Sequence, residues 1–245
     1  MILPVITITD FRDLSTPIAK RKVVIITARV HPSECSGSWM MEGFLRTIMK
    51  DNSKMNLLRK NIIFKIMPML NPDGVVLGNF RTSLSGRDLN RQYKSLGNRL
   101  MIPEILGLIK LIRSYKNPIT NRILGYFDLH GHGKRKGIFC YGPDLPKSQL
   151  DHYKARMIPR LISKFDKLGM FKYWGCSFKD NSKKLCVARV HFQRTYKIMI
   201  SYTIEASISS YLKTRTEDVP FLSEMYLEMG SYIVEAINMY NKIIN

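Results

Sequence analysis

This 245-residue chain is short of acidic residues. Its 19 Asp and Glu stand against 39 Lys and Arg, a formal net charge of +20. Such a deficit excludes a self-neutralised surface and favours a polyanionic partner, whether nucleic acid, an anionic membrane or an acidic peptide. The plainer reading of the same numbers is a solvated basic surface. No apolar run approaches the roughly 18 residues a membrane span needs, which argues against a membrane role. The opening MILPVITITD has neither a basic n-region nor a small-residue cleavage site, so it does not read as an export signal. A cytoplasmic setting is therefore expected. The four cysteines, Cys35, Cys140, Cys176 and Cys186, show no C-x-x-C spacing and are expected as reduced thiols. No solenoid-period repeat, low-complexity tract or clear linker interrupts the chain, so residues 1–245 read as a single domain. With 45% apolar residues, that length can bury a sizeable core.

Strand-like and helical segments alternate. ITITD near the start is β-branched and bounded by Pro4 and Asp10. VVIITA, from Val23 to Ala28, is a continuous apolar run of the kind buried on both faces. Met41, Phe44, Leu45 and Ile48 then recur at helical spacing. Residues 61–70 read as a strand ended by the turn signal NPDG. A helix is expected after Pro103, on Ile105, Leu108, Ile109 and Ile112, and a strand over residues 123–129. Residues 147–169 look helical, with Pro159 predicting a kink or break. Residues 198–206 read as a strand and 220–244 as a helix with Leu222, Met225, Met229, Ile233 and Ile237 on one face. Strands separated by helices predict an α/β fold: a mixed, largely parallel central sheet with helices on both faces. Sites in such sheets form at the carboxyl ends of strands.

Residues of catalytic type gather just after those strands. His31 and Glu34 follow the first apolar run, and Pro32 between them keeps His31 out of helical geometry while Glu34 enters the next helix. An imidazole and a carboxylate suit zinc, and catalytic zinc takes three protein ligands. An ordinary surface turn, with Glu34 favouring a helix N-terminus, reads the same residues without a metal. His130 and His132 follow the strand ending in FDL, and small Gly131 between them lets a ligand approach; one of the two suffices. Glu205 closes an apolar strand, where a carboxylate is costly unless it is paired or functional. A glutamate there can take a proton from a hydrolytic water and return it to a leaving amine; its plainer role is a salt bridge.

Four stretches, ARVHPSE, NPDGVVLGNFRTSLSGRDLNRQY, FDLHGHGKRKGIFCYG and SYTIEAS, occur in order from Ala28 to Ser207. Together they resemble the zinc metallocarboxypeptidases, in particular the cytosolic carboxypeptidase branch that trims glutamates from tubulin tails. The resemblance implies one Zn2+ held by His31, Glu34 and His130, with Glu205 as general base and acid. It implies that Asn90 and Arg91 grip the substrate's terminal carboxylate, which suits the planar fork of arginine. It assigns Arg81 to the scissile carbonyl and its oxyanion.

The tetrapeptide ARVH occurs a second time, at residues 188–191, in another strand-like stretch. The family carries Gly-Thr-Gly-Arg sixteen residues before its catalytic glutamate, which places Arg189 against the acidic side chain of the outgoing residue. This chain reads CVAR there, without either glycine. Lys134 and Arg135 are further candidates for an acidic substrate, or simply solvated charge. The family's β-rich domain ahead of the catalytic one has no counterpart, so a fragment or a reduced form is expected, with the first strands of the sheet missing too. The implied function is hydrolysis of C-terminal peptide bonds with release of glutamate from acidic, tubulin-like tails. The alternative is a catalytically impaired basic module that binds acidic tails or RNA. No aromatic-basic RNA recognition motif supports the nucleic-acid version.

Overall fold

The computed structural model describes residues 3–94, 99–116, 122–146, 150–180, 185–214 and 216–244. Its centre is the strand β2 (Lys22–Ala28), whose residues from Val23 onward are buried. Alternate side chains of a strand point to opposite faces. Val24, Ile26 and Ala28 accordingly enter one apolar cluster, and Val23 and Ile25 another.

Six strands form the sheet. They are β1 (Ile6–Ile8), β2, β3 (Ile62–Met67), β4 (Ile123–His132), β5 (Ile138–Tyr141) and β6 (Ser201–Ser207), in the spatial order β1-β3-β2-β4-β6-β5. The inner four run parallel, whereas β1 and β5 pair antiparallel at the edges. That is the mixed, largely parallel sheet the alternation predicts. A separate antiparallel pair, β7 (Ser210–Leu212) and β8 (Asp218–Pro220), leads into the last helix.

Helices cover both faces. On one lie α1 (Ser36–Ile48), α2 (Ser53–Asn61), α5 (Leu150–Phe165) and α7 (Ser223–Ile244). On the other lie α4 (Pro103–Tyr115) and α6 (Ala188–Tyr196), while a short α3 (Pro72–Val76) grows out of the NPDG turn with Asn71 as its cap.

Several expectations change in detail. The second ARVH is the first turn of α6, not a strand, because Phe192 and Tyr196 follow it at helical spacing and bury together. The helix α5 runs through Pro159 without a break. Proline there removes the N–H that would satisfy the carbonyl of Ala155. The Tyr202 hydroxyl donates to that carbonyl instead, at 2.7 Å. The last helix starts at Ser223, three residues later than expected, because Asp218–Pro220 pair as β8. Residues 147–149, at the start of the predicted α5, lie outside the described residues.

Candidate metal and hydrolytic site

Three parallel strands deliver the site. His31 and Glu34 follow β2, His130 lies on β4, and Glu205 lies on β6 as the register partner of His130. After β2 the backbone turns at Arg29, with φ of +56°. This left-handed backbone is strained for a non-glycine residue, and the Arg29 side chain holds it. Its guanidinium donates to the Pro32 carbonyl through Nε at 2.9 Å and Nη2 at 2.6 Å, and to Ser38 Oγ at 2.8 Å. Buried Asn71 ties the same loop to its surroundings by donating to the carbonyls of Val30 and Thr82. Glu34 stops short of α1, one residue ahead of its cap Cys35, which corrects the expectation that it enters the helix.

The ligand atoms of His31, Glu34 and His130 all lie within 4.8 Å of one another. His31 Nδ1 is 2.7 Å from Glu34 Oε1, and His130 Nδ1 is 2.9 Å from Glu34 Oε2. The Gly131 N–H also donates to Glu34 Oε2 at 2.9 Å, and a Cβ on Gly131 would stand 3.0 Å from that of Glu34, so glycine makes the approach possible. The expected His130, and not His132, completes the group. β4 stays regular through His132, whose Nδ1 accepts from the backbone of Lys134 and Arg135 in the following turn.

Two residues that the reading of the sequence missed stand behind the histidines. Asp88 Oδ1 lies 3.2 Å from His31 Nε2, and Asp128 Oδ2 lies 2.9 Å from His130 Nε2. Asp128 is itself buried and takes a 2.7 Å bond from Thr27 Oγ1. A carboxylate on the far nitrogen fixes the tautomer and turns Nδ1 towards the metal position. Both aspartates sit two residues before a predicted site residue, in D-L-H and D-L-N, a spacing that could have flagged them.

Electrostatics suit a cation. Burial works against charge on Glu34, yet His130 and His31 hold its carboxyl well below the usual range. Burial likewise opposes charge on Asp88, but the bond to His31, with Arg81 and Arg91 nearby, brings it down to about 2. His130 is pushed up, with burial overcome by Asp128 and Glu34. Three carboxylates around two imidazoles leave negative charge that a divalent ion would meet, and the donor set of two nitrogens and one carboxylate fits zinc. Glu205 is different. Burial, aided by Glu34 and Asp128 against the histidines, pushes its carboxyl up to about 7.

The remaining predicted residues line the same cavity of about 510 Å³, with His31, Glu34, His130 and Glu205. Arg81 donates through Nε to Asp88 at 2.8 Å and brings Nη1 to 3.9 Å from Glu34. Asn90 accepts the first N–H of α6, from Ala188, at 2.9 Å, and Arg91 folds back on the Asn90 carbonyl at 3.0 Å. Arg189 is buried in the wall. Its Nη1 donates to the Gly142 carbonyl and to Asp180, both at 2.8 Å, while among the described residues its Nη2 has no hydrogen-bond partner. Lys134 reaches the cavity; Arg135 turns away to stack on Phe139 and bond the Gly175 carbonyl.

Known proteins are similar to this chain in sequence and in fold. Residues 3–144 match the zinc carboxypeptidase family, Peptidase_M14. The chain is 38% identical over 237 residues to cytosolic carboxypeptidase 2 of Xenopus tropicalis, covering 96% of this chain and 24% of that protein. It is 37% identical over 241 residues to cytosolic carboxypeptidase 3 of Mus musculus, covering 96% and 23%. It thus spans about a quarter of the length of the curated relatives it matches. In fold it is similar to a metallo-carboxypeptidase from Burkholderia cenocepacia, with a TM-score of 0.83 at 22% identity over 99% of this chain and 62% of that one. With the family matched over more than half of its length, the chain belongs to the zinc carboxypeptidases.

Proposed function

We propose that residues 1–245 act as one catalytic domain, a zinc-dependent carboxypeptidase that removes glutamate from acidic, tubulin-like protein tails in the cytoplasm. The observation that carries this reading is the shared cavity: the His31, Glu34 and His130 cluster, the raised Glu205 carboxyl and three arginines all border it. The names of the relatives support the activity and the compartment. Among the described residues, no helix is long and apolar enough to cross a membrane.

His31, Glu34 and His130 would hold one zinc ion, which when bound supplies Lewis acidity to the scissile carbonyl and the attacking water. Arg91 and Asn90 hold the terminal carboxylate of the substrate, and Arg81 faces the carbonyl oxygen as its charge grows. Glu205 takes the proton of the attacking water. A carboxyl poised near neutrality can accept that proton and then return it to the departing amine. The unpartnered Nη2 of Arg189 offers a donor to the side-chain carboxylate of an outgoing glutamate.

The test is release of the terminal residue from matched peptides ending in Glu, Tyr or Lys, with and without a chelator. Glutamate release is expected to dominate, to stop with the chelator and to return with zinc. A chain that binds acidic peptides but neither takes up zinc nor cleaves them would replace this reading with that of a binding module.

A further inference from the structure

The catalytic cavity uses only part of the positive surplus. A second cavity, of about 280 Å³, lies on α5 and is lined by Tyr153, Arg156, Met157, Arg160, Leu161 and Tyr173. The first five recur at the spacing of one helix face. Arg156 and Arg160, one turn apart, place like charges side by side, which costs stability unless an anion joins them. Among the described residues neither forms an ion pair, whereas the neighbouring Lys154 has Asp151 at 3.8 Å. Each guanidinium lies over a ring: Arg156 Cζ is 4.3 Å from the centroid of Phe178, and Arg160 Cζ is 5.4 Å from that of Tyr173. Stacking occupies the face of a guanidinium and leaves its edge to donate; Arg156 spends Nη1 on the His152 carbonyl at 2.6 Å, so the freer edge is that of Arg160. Beside the groove Trp174 is 91% exposed and Tyr153 is 61% exposed, an unusual amount of aromatic surface to leave in water.

The groove backs onto the catalytic cavity. Phe178, beneath Arg156, presses on Gly142 so closely that a Cβ there would stand 2.4 Å from its ring, and the Gly142 carbonyl holds Arg189. On the other side, Lys134 lines the catalytic cavity while the adjacent Arg135 bonds Gly175, at the end of the Tyr173–Gly175 turn. Only this wall, Phe178 against Gly142, separates the groove from the catalytic cavity.

We propose that this groove is a docking site for an acidic polypeptide segment, the part of a substrate chain upstream of the bond cleaved. The inference rests on the carboxypeptidase reading for the identity of that chain. The edge of Arg160 and the remaining donors of Arg156 select carboxylates, and the exposed aromatics select the apolar stems of an extended peptide. The two variants that test it, Arg160→Glu and Trp174→Ala, both change exposed side chains.

The experiment compares a blocked dipeptide ending in Glu with an acidic peptide of about a dozen residues carrying the same terminal pair. In the unmodified chain KM for the long peptide is expected to be the lower, and to rise with salt. Arg160→Glu should raise KM for the long peptide about tenfold, as loss of a charge-assisted contact does, with kcat unaltered. Constants for the dipeptide should stay the same, and Trp174→Ala should show the same pattern with a smaller shift. An unchanged KM on the long peptide overturns the proposal, as do equal losses on both substrates. Binding of the long peptide is measured in parallel by fluorescence anisotropy. If the unmodified chain cleaves neither substrate, the carboxypeptidase reading fails, and the groove is judged on binding alone: weakening by Arg160→Glu supports it, and unchanged binding overturns it. An RNA oligonucleotide whose binding falls in the variant while peptide binding does not would show a nucleic-acid surface and overturn it as well.

Discussion

At residues 28–31, Ala-Arg-Val-His leaves β2, turns through left-handed backbone at Arg29 and sets His31 against Glu34. At residues 188–191 the same four residues form the first turn of α6. The difference lies in the neighbours. The first copy ends a β-branched run locked between two parallel partners, and Pro32 follows it. The second begins where Asn90 accepts the Ala188 N–H, and the aromatic residues after it pack at helical spacing. The chemical interest also changes residue. In the first copy the arginine braces its own turn and the histidine faces the cavity; in the second the arginine faces the cavity. Both copies border one cleft, one at the metal position and the other at its far wall.

The largest expected effect breaks the first copy. His31→Ala removes one of the three proposed ligands. Zinc affinity should fall by more than the roughly 10–100-fold that loss of an outer partner costs, and hydrolysis should disappear. Competition with a graded chelator and a peptide assay measure both. Retention of stoichiometric tight zinc would remove His31 from the ligand set.

Glu205→Gln separates metal from chemistry. Zinc should stay bound while kcat falls by about 10²–10⁴-fold, the usual worth of a general acid–base. The zinc-free chain offers a second readout. Burial, as the leading cause, raises the Glu205 carboxyl from its ordinary value to about 7 when folded, so between about pH 4.5 and 7 the folded chain holds the proton that the unfolded chain has lost. Stability from this group therefore falls as pH rises through that window. Above pH 7, Glu205→Gln should stabilise the zinc-free chain by about 1–3 kcal/mol, and the gain should vanish near pH 4. Urea unfolding at pH 4 and pH 8 checks this; an equal effect at both values would show that titration of Glu205 plays no part.

The second copy is tested through Arg189. Its removal alone would leave buried Asp180 with only the longer pair to exposed Arg194, at 3.7 Å, a loss of up to about 3–5 kcal/mol that would obscure any effect on specificity. The double variant Arg189→Met, Asp180→Asn removes both charges. Preference for terminal Glu over terminal Tyr should fall about tenfold, the scale of one charge-assisted hydrogen bond, while kcat on the Tyr peptide holds. Parallel losses on both peptides would make Arg189 a structural residue.

The sheet was legible because parallel strands buried on both faces are apolar at nearly every position, as Val23 to Ala28 are but for Thr27. The clustering of His31, Glu34 and His130 was legible because they follow or end such strands in separate motifs. Asp88 and Asp128 carry no periodic signature; their spacing of two residues before a site residue is a weak flag, and the folded contact shows which histidine each one meets. The α6 turn was misread as a strand because a β-branched valine and a short length hid aromatic spacing that begins only after the tetrapeptide. Nor could the fork of Arg189 be seen, since Asp180 and Gly142 reach it from elsewhere in the chain.

The smallest effect belongs to His191, the counterpart of His31. Its ring sits among Tyr93, Phe192 and Tyr196 at centroid distances of 5.9, 5.7 and 5.7 Å, with no carboxylate at ligand distance among the described residues. His191→Ala should therefore cost aromatic packing, about 0.5–1.5 kcal/mol, together with a long 3.4 Å contact to Thr195 Oγ1, and leave zinc content and kcat unchanged. Burial, with Arg113 nearby, lowers the folded pKa of His191, so the unfolded chain takes up its proton first as pH falls. The contribution of His191 is full above pH 6.5 and shrinks below it. Unmodified chain and variant should thus differ most at pH 7.5 and converge towards pH 5 in denaturant unfolding. A gap that widens on acidification would mean that His191 is charged in the folded chain, and loss of zinc in the variant would mean that the second copy also reaches the metal.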